Sequence, residues 1–331
     1  MSTGAGASDL LHAEDSGLDQ IISGEQAVTA RSPLQLFWRR FRRDRVAMAA
    51  LAFIVVLIVV AAFAGPISRL LGAPEPNAQS TDALDDFGLP SGPSSDHLFG
   101  VDTIGRDVFA RVLYGAQVSL AVAFIGTGLS VFLGVILGLI SGFFRGWSDT
   151  IIARSLDIML AFPVLLLGLG LATACSGADG CAGGLLQPGL PIVIFIIVLA
   201  NTPYVARIIR GQVLSLREKE FVEASRSLGA GSFRIMFRDI LPNLVAPIIV
   251  YATLFIPANI LLEAALSFLG VGVQPPRASW GKMLSDAISI FNVAWWFMLF
   301  PGLALLLTVL AFNLVGDGLQ DALNPKGTKS R

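Results

Sequence analysis

Charge is scarce in this chain. Asp, Glu, Lys and Arg make up 14% of its 331 residues, and 54% are hydrophobic, whereas soluble domains carry about 25% charged residues. The mean hydropathy of +0.72 agrees. This balance excludes a soluble globular chain and points to an integral membrane protein. Histidine is nearly absent: His12 and His97 are the only two, and no ligand cluster surrounds them or the two cysteines, so a metal site is not expected. No G-x-x-x-x-G-K-[ST] phosphate loop is present, and the single Gly-Lys pair, Gly281–Lys282, is followed by Met283. The chain therefore lacks the usual means of holding ATP. With no nucleophile and base pairing in view either, neither a catalytic centre nor a bound cofactor is expected. Ionisable residues are also missing from the apolar runs, apart from Asp157 and Glu263 near their ends. That argues against a self-sufficient proton- or sodium-coupled carrier, which needs such groups at membrane depth.

The apolar runs themselves are long. Six charge-free stretches, 46–68, 112–144, 158–178, 182–206, 240–262 and 287–316, each reach the ~20 residues that a helix needs to cross a bilayer. They do not alternate as barrel strands do, so an all-α fold with six transmembrane helices is expected. With the N-terminus inside, 18 of the 23 Lys and Arg fall on the inner side; the positive-inside rule then places both termini in the cytoplasm. Trp295 and Trp296 come at the outer end of the sixth run, where interfacial indoles belong. The "AFAG" after the first run resembles a cleavage site, but that run begins 45 residues in, and a retained anchor is expected.

Around the runs the sequence divides into an acidic, Gly/Ser/Ala-rich tail (1–31), a basic segment (32–45), a six-helix transmembrane domain (46–318) and a short basic tail (319–331). The tail reads as disordered. "SPLQLFWRRFRRDR" suits either a helix on the inner surface or plain flanking charge. The outer segment 66–111 ends with Asp102, Arg106 and Asp107, a set suited to a polar knot that fixes the chain's re-entry. Cys175 and Cys181, in "CSGADGC", fit a small disulfide-closed loop or two free thiols. Small residues recur every four positions at Gly126, Ser130, Gly134, Gly138 and Gly142, a bare helix face for packing within the chain or against a second subunit. Pro163, Pro203, Pro247, Pro257 and Pro301 can each kink a span.

The loop at 207–244 carries the strongest local pattern. Ser215 and Glu218 have capping-box spacing. Phe221, Ala224 or Ser225, and Leu228 then form an apolar stripe able to rest on the span ends. Gly229 stands at a helix C-terminus, and a second stripe, Phe233, Met236, Phe237 and Ile240, restarts the period. Pro242 marks a bend or boundary near the end of that stripe. The loop is expected as helix, glycine, helix, with a basic polar face that can meet either lipid or a protein partner.

Glu223, Ala224 and Gly229, followed by Ile240, Leu241 and Pro242, resemble the EAA loop of bacterial ABC importer permeases. Two departures are Ser225 in place of alanine and the direct succession of Ile240 and Leu241. "FGVDTIGRDVFARVLYGAQVSL", "EAALSFLGVGVQPPRASWGKML" and "NLVGDGLQDALNPK" are similar to segments of the dipeptide/oligopeptide/nickel importer permeases, of the C type, over roughly residues 35–326. The resemblance implies a type I importer permease fold in a bacterial inner membrane. Its expected partners are a homologous second permease, two ATPase subunits that hold ATP and Mg, and an extracytoplasmic binding protein; no nucleic-acid partner is expected. It implies that Glu223 and Gly229 shape the coupling loop, that Arg226 and Arg234 pair with acidic groups on the ATPase, and that Gly272, Pro275, Pro276 and Trp280 meet the binding protein or line an outer gate. A packed Pro/Gly turn fits that last set equally. A peptide ligand is expected, with nickel chelate, haem or glutathione as related alternatives and a stand-alone channel or carrier, or a membrane anchor for a cytoplasmic protein, as other classes.

Overall fold

The structure, a computed structural model, describes residues 33–177, 180–184 and 186–323; the tail at 1–31 with residue 32, residues 178, 179 and 185, and the C-terminal stretch from 324 lie outside it. The described chain is helical. Pro33–Phe41 (α1), Arg45–Ala62 (α2) and Ala64–Leu70 (α3) precede a long irregular segment. Val108–Phe144 (α4), Gly146–Leu160 (α5), Val164–Ala174 (α6), Leu190–Leu216 (α7), Glu220–Ser227 (α8), Ser232–Phe268 (α9), Trp280–Ala287 (α10) and Trp295–Leu323 (α11) follow.

Five helices are long and apolar enough to cross a membrane: α2, α4, α7, α9 and α11. The third apolar run, expected as one helix, is instead the pair α5 and α6, bent by 83°. The cause is local. Pro163 has no N–H to give to the carbonyl of Met159, four residues back, and its ring disfavours helix in Phe162. The remaining prolines, Pro203, Pro247, Pro257 and Pro301, sit inside helices that run on.

The stripe of small residues packs within the chain. A Cβ at Gly126 would lie 2.6 Å from Ile197, at Gly134 2.5 Å from Val205, and at Gly142 2.8 Å from Val213. The hydroxyl of Ser130 donates to the carbonyl of Gly126 at 2.6 Å. Side chains of α7 thus fill the bare face of α4, the close approach that small residues allow in membranes. A second cluster joins α2 to α11 through Ala47, Ala50, Ile54, Ala311, Phe312 and Val315. Asp44 caps α2 by accepting from the amides of Val46 and Ala47 at 2.9 and 3.0 Å. Phe41 seats α1 against Ala47 and Gly318, so the basic segment contains a packed helix.

One end of the bundle carries the irregular segment. Asp102 is fully buried and accepts from Arg106 Nε at 2.6 Å and from two backbone amides. Asp107 caps α4 and meets His97 Nδ1 at 2.8 Å. The indole of Trp296 donates to the carbonyl of Val101 at 3.1 Å and is buried; only Trp295 has the exposure of an interfacial indole. Trp296 leaves that role because it closes the segment over the bundle. The sixth span correspondingly starts at Trp295, not at 287. Cys175 and Cys181 are joined as a disulfide.

The turn between α9 and α10 is packed at the same end. Trp280 is buried and its indole donates to the carbonyl of Val112 at 3.1 Å. A Cβ on Gly281 would collide with the carbonyl oxygen of Ala264, and one on Gly272 would meet the hydroxyl of Ser267. Gly272 and Trp280 therefore hold the turn and do not offer side chains to a partner, whereas Pro275 and Pro276 are exposed. Glu263, read from sequence as a span-end charge, is fully buried beneath this turn, accepting from Ser119 at 2.8 Å and Ser267 at 2.7 Å.

Candidate functional site

The other end of the bundle carries the loop between α7 and α9. Its first helix does not start at Ser215. α7 runs on to Leu216, and Lys219 takes the N-cap position with no side-chain cap. The capping box does not form because Ser215 lies inside α7, and Glu218 instead pairs with Arg145 at 2.6 Å. Beside it Arg217 donates to the carbonyl of Phe143 at 2.5 Å, satisfying an orphan group at the end of α4. Burial lowers the Arg217 pKa, and the nearby charges of Arg145 and Arg226 lower it further against the pull of Glu218. Below the loop, Arg210 forms a two-pronged pair with Asp149 at 2.6 and 2.7 Å, tying α7 to α5, and Ser141 donates to the same carboxylate. Arg207 reaches Asp157 at 2.8 Å. Apart from Ser141 with Asp149, these tethers connect residues 50 to 74 positions apart and had no local signature.

α8 ends where the glycine predicts. Gly229 has φ +80°; its amide donates to the carbonyl of Arg226, and that of Ala230 to Ser225, each at 3.0 Å. This is the Schellman closure, which needs a residue free to adopt positive φ. Nothing lies within 4 Å of a Cβ built at Gly229, so the glycine is required by backbone conformation alone. Beyond it the second helix is not separate. Ser232 starts a helix that passes through a π turn at Ile235–Ile240 and continues past Leu241 and Pro242 to Phe268. Pro242 stands near the N-terminus of the regular part, where no boundary is needed because the π turn changes register just before it.

The buried face also differs from expectation. Val222, 0% exposed, anchors α8 on Ile235, Met236, Ile240, Leu244 and the loop ends of α4 and α7. The stripe of Phe221, Ala224 and Leu228 faces outward, with Leu228 89% exposed. An eight-residue helix held by one valine and its C-terminal turn leaves the opposite face free. Phe233, 72% exposed, lies 4.4 Å from Phe237, ring centre to ring centre. Met236 and Ile240 of the same stripe are buried. Glu223, Arg226 and Arg234 are exposed. Among the described residues none of the three forms an ion pair, so Glu223 does not fix the loop by pairing with a neighbouring arginine. The site is a short helix on a rigid seat, presenting apolar side chains among uncommitted charges.

This architecture of spans, broken third helix and seated loop helix is that of an ABC importer permease. Over residues 134–329 the chain matches the family described as the binding-protein-dependent transport system inner membrane component, and it belongs to that family. Residues 32–87 match the N-terminal transmembrane domain of oligopeptide transport permease C. A dipeptide transport system permease protein of Alkalihalophilus pseudofirmus is 41% identical over 302 residues, covering 91% of this chain and 93% of that protein. A glutathione transport system permease protein of Escherichia coli is 43% identical over 296 residues, covering 89% and 91%. The inward-facing methionine ABC transporter MetNI shares the fold, with a TM-score of 0.53 at 19% identity over 64% of this chain and 96% of that one. The type I permease fold is thereby established, in a multi-pass membrane protein.

Proposed function

We propose that this chain is one of two permease subunits of an ATP-driven importer of di- and oligopeptides in a bacterial inner membrane. Both termini and the 217–239 loop face the cytoplasm; the 66–111 segment and the exposed Pro275–Pro276 turn face the binding protein that delivers substrate. A homologous permease completes the path. Two ATPase subunits hold ATP and Mg, and this chain is a non-catalytic subunit. Glutathione, the substrate named for a 43% identical relative, is itself a tripeptide and falls in the same class.

One observation supports this most directly. Phe221 and Leu228 on α8 and Phe233 in the first turn of α9 are exposed, beside Arg226 and Arg234, which form no ion pair among the described residues. Such a patch outside the lipid marks a protein interface. Closure of the ATPase pair on ATP displaces α8, and the rigid seat passes that motion to the spans. Arg217 and Glu218 carry it to α4, Arg210 to α5, and the unbroken helix from Ser232 carries it to Phe268. This is a two-state element biased from a distant site.

The test is Gly229→Val against Gly229→Asn in the reconstituted importer. Valine at φ +80° costs about 1–3 kcal/mol of backbone strain, while asparagine tolerates that region. The valine variant is expected to insert and assemble but to hydrolyse ATP with transport reduced about tenfold or more, and the asparagine variant to stay coupled. Full coupled transport in the valine variant overturns the lever.

A further inference from the structure

The break between α5 and α6 leaves backbone groups without partners at membrane depth. Among the described residues, the carbonyls of Met159, Leu160, Ala161 and Phe162 accept no backbone hydrogen bond, and the amides of Val164, Leu165 and Leu166 donate none. Such groups are tolerated in a membrane only where protein or a water-filled cavity meets them. A cavity of about 510 Å³ opens at this point, walled by the break and by α7 and α9. Asn201, Tyr204 and Asn259 are its polar side chains, and it has no charged lining residue. Asn201 is 8% exposed. Its amide nitrogen donates to Asn259 Oδ1 at 2.7 Å and to the carbonyl of Ile197 at 3.0 Å, and Asn259 in turn donates to Thr127 at 2.7 Å. That ladder fixes the Asn201 side chain while its Oδ1 accepts nothing among the described residues. Asn201 lies 11 residues from the start of α7, about 17 Å along it, which is near the middle of a hydrocarbon core of about 30 Å.

We infer that this cavity is a way station for the backbone of the transported peptide, with Asn201 Oδ1 accepting a peptide N–H. The inference rests on the importer reading. The free carbonyls at the end of α5 suit an ammonium group, and the free amides at the start of α6 suit a carboxylate. A short zwitterionic peptide presents both charges and an amide between them. A lining without formal charge holds such a net-neutral ligand loosely enough to release it. Apolar walls such as Leu160, Val164 and Leu262 read no side chain, as a path for peptides of varied sequence requires.

The experiment uses the complete importer, with both permeases, the ATPases and the binding protein, in proteoliposomes. Uptake of radiolabelled alanyl-alanine is compared with that of alanyl-N-methylalanine, which lacks the amide hydrogen. The wild type is expected to favour alanyl-alanine, and Asn201→Ala to reduce that preference by about tenfold, the worth of one hydrogen bond to a buried polar group. A purely structural role lowers both uptakes alike and leaves their ratio unchanged, which overturns the station. A second measurement keeps Asn201 in place. Phe162→Cys, at the break, is labelled with a water-soluble maleimide, and alanyl-alanine is expected to protect it; labelling indifferent to millimolar peptide overturns the proposal. If Asn201→Ala fails to assemble, the labelling alone decides. A wild-type complex that takes up no peptide overturns both this inference and the importer reading. Uptake with an unchanged ratio and no protection overturns the station alone.

Discussion

Asp102 has no access to solvent and sits between two guanidinium groups, Arg106 at 2.6 Å and the buried Arg111 at 3.6 Å. Removing one member of a buried set leaves charge without compensation, which costs about 3–5 kcal/mol. Asp102→Ala is therefore expected to lower the thermal midpoint of the purified permease sharply, while Asp86→Ala, exposed in the same segment, moves it little. Equal midpoints for the two variants contradict the knot. Half of this arrangement was legible in the sequence, since Asp102, Arg106 and Asp107 lie within one turn of chain. Arg111 and His97 were not, because their partnership depends on how the segment folds back over α4. Trp296 shows the same limit. Its place at the start of a span suggests an interfacial indole, and only the segment packed on it shows that its N–H is already used by Val101.

Helices were the most legible elements, because an uncharged run of about 20 residues has one stable form in lipid. The break at Pro163 was visible as a proline but not as a break, since the other four span prolines are absorbed by continuous helices. The capping box at Ser215 misled for a physical reason: extension of α7 competes with a new N-terminus, and Val213 and Leu216, packed in the cluster with Val222, hold its last turns. The glycine stripe on α4 left two partners open, and the contacts with α7 decide between them. This yields a paired prediction. A Cβ at Gly138 would stand 2.7 Å from the carbonyl oxygen of Ala206, whereas nothing lies within 4 Å of one at Gly128. Gly138→Leu is expected to destabilise by more than the 1–3 kcal/mol typical of overpacking, because backbone blocks it. Gly128→Leu stays within about 0.5 kcal/mol. Fluorescence-detected size-exclusion after graded heating measures both, and similar profiles exclude α7 as the filler of that face.

Across the whole molecule, the exposed apolar side chains on the spans differ from those on the loop in what can cover them. Those on the spans, such as Val55, Val56 and Leu310, need lipid or another permease against them. Those on the loop, Phe221 and Leu228 on α8 and Phe233 in the first turn of α9, have nothing covering them among the described residues. Composition alone assigns both groups to a membrane, so the distinction waited on Val222 being the buried anchor of α8. If the loop patch docks on an ATPase, charge placed there abolishes docking without touching the bundle. Phe221→Asp with Leu228→Asp is expected to leave the permease inserted, with its midpoint unchanged, while ATPase recovery on co-purification falls about 100-fold, given about 2 kcal/mol or more for central apolar interface residues. Arg226→Gln with Arg234→Gln acts differently: association weakens, and its salt dependence flattens as the steering charge is lost. A lipid-resting loop predicts the opposite pattern. In that case the aspartates release α8 from vesicles, and ATPase recovery from the detergent-solubilised complex stays at the wild-type level.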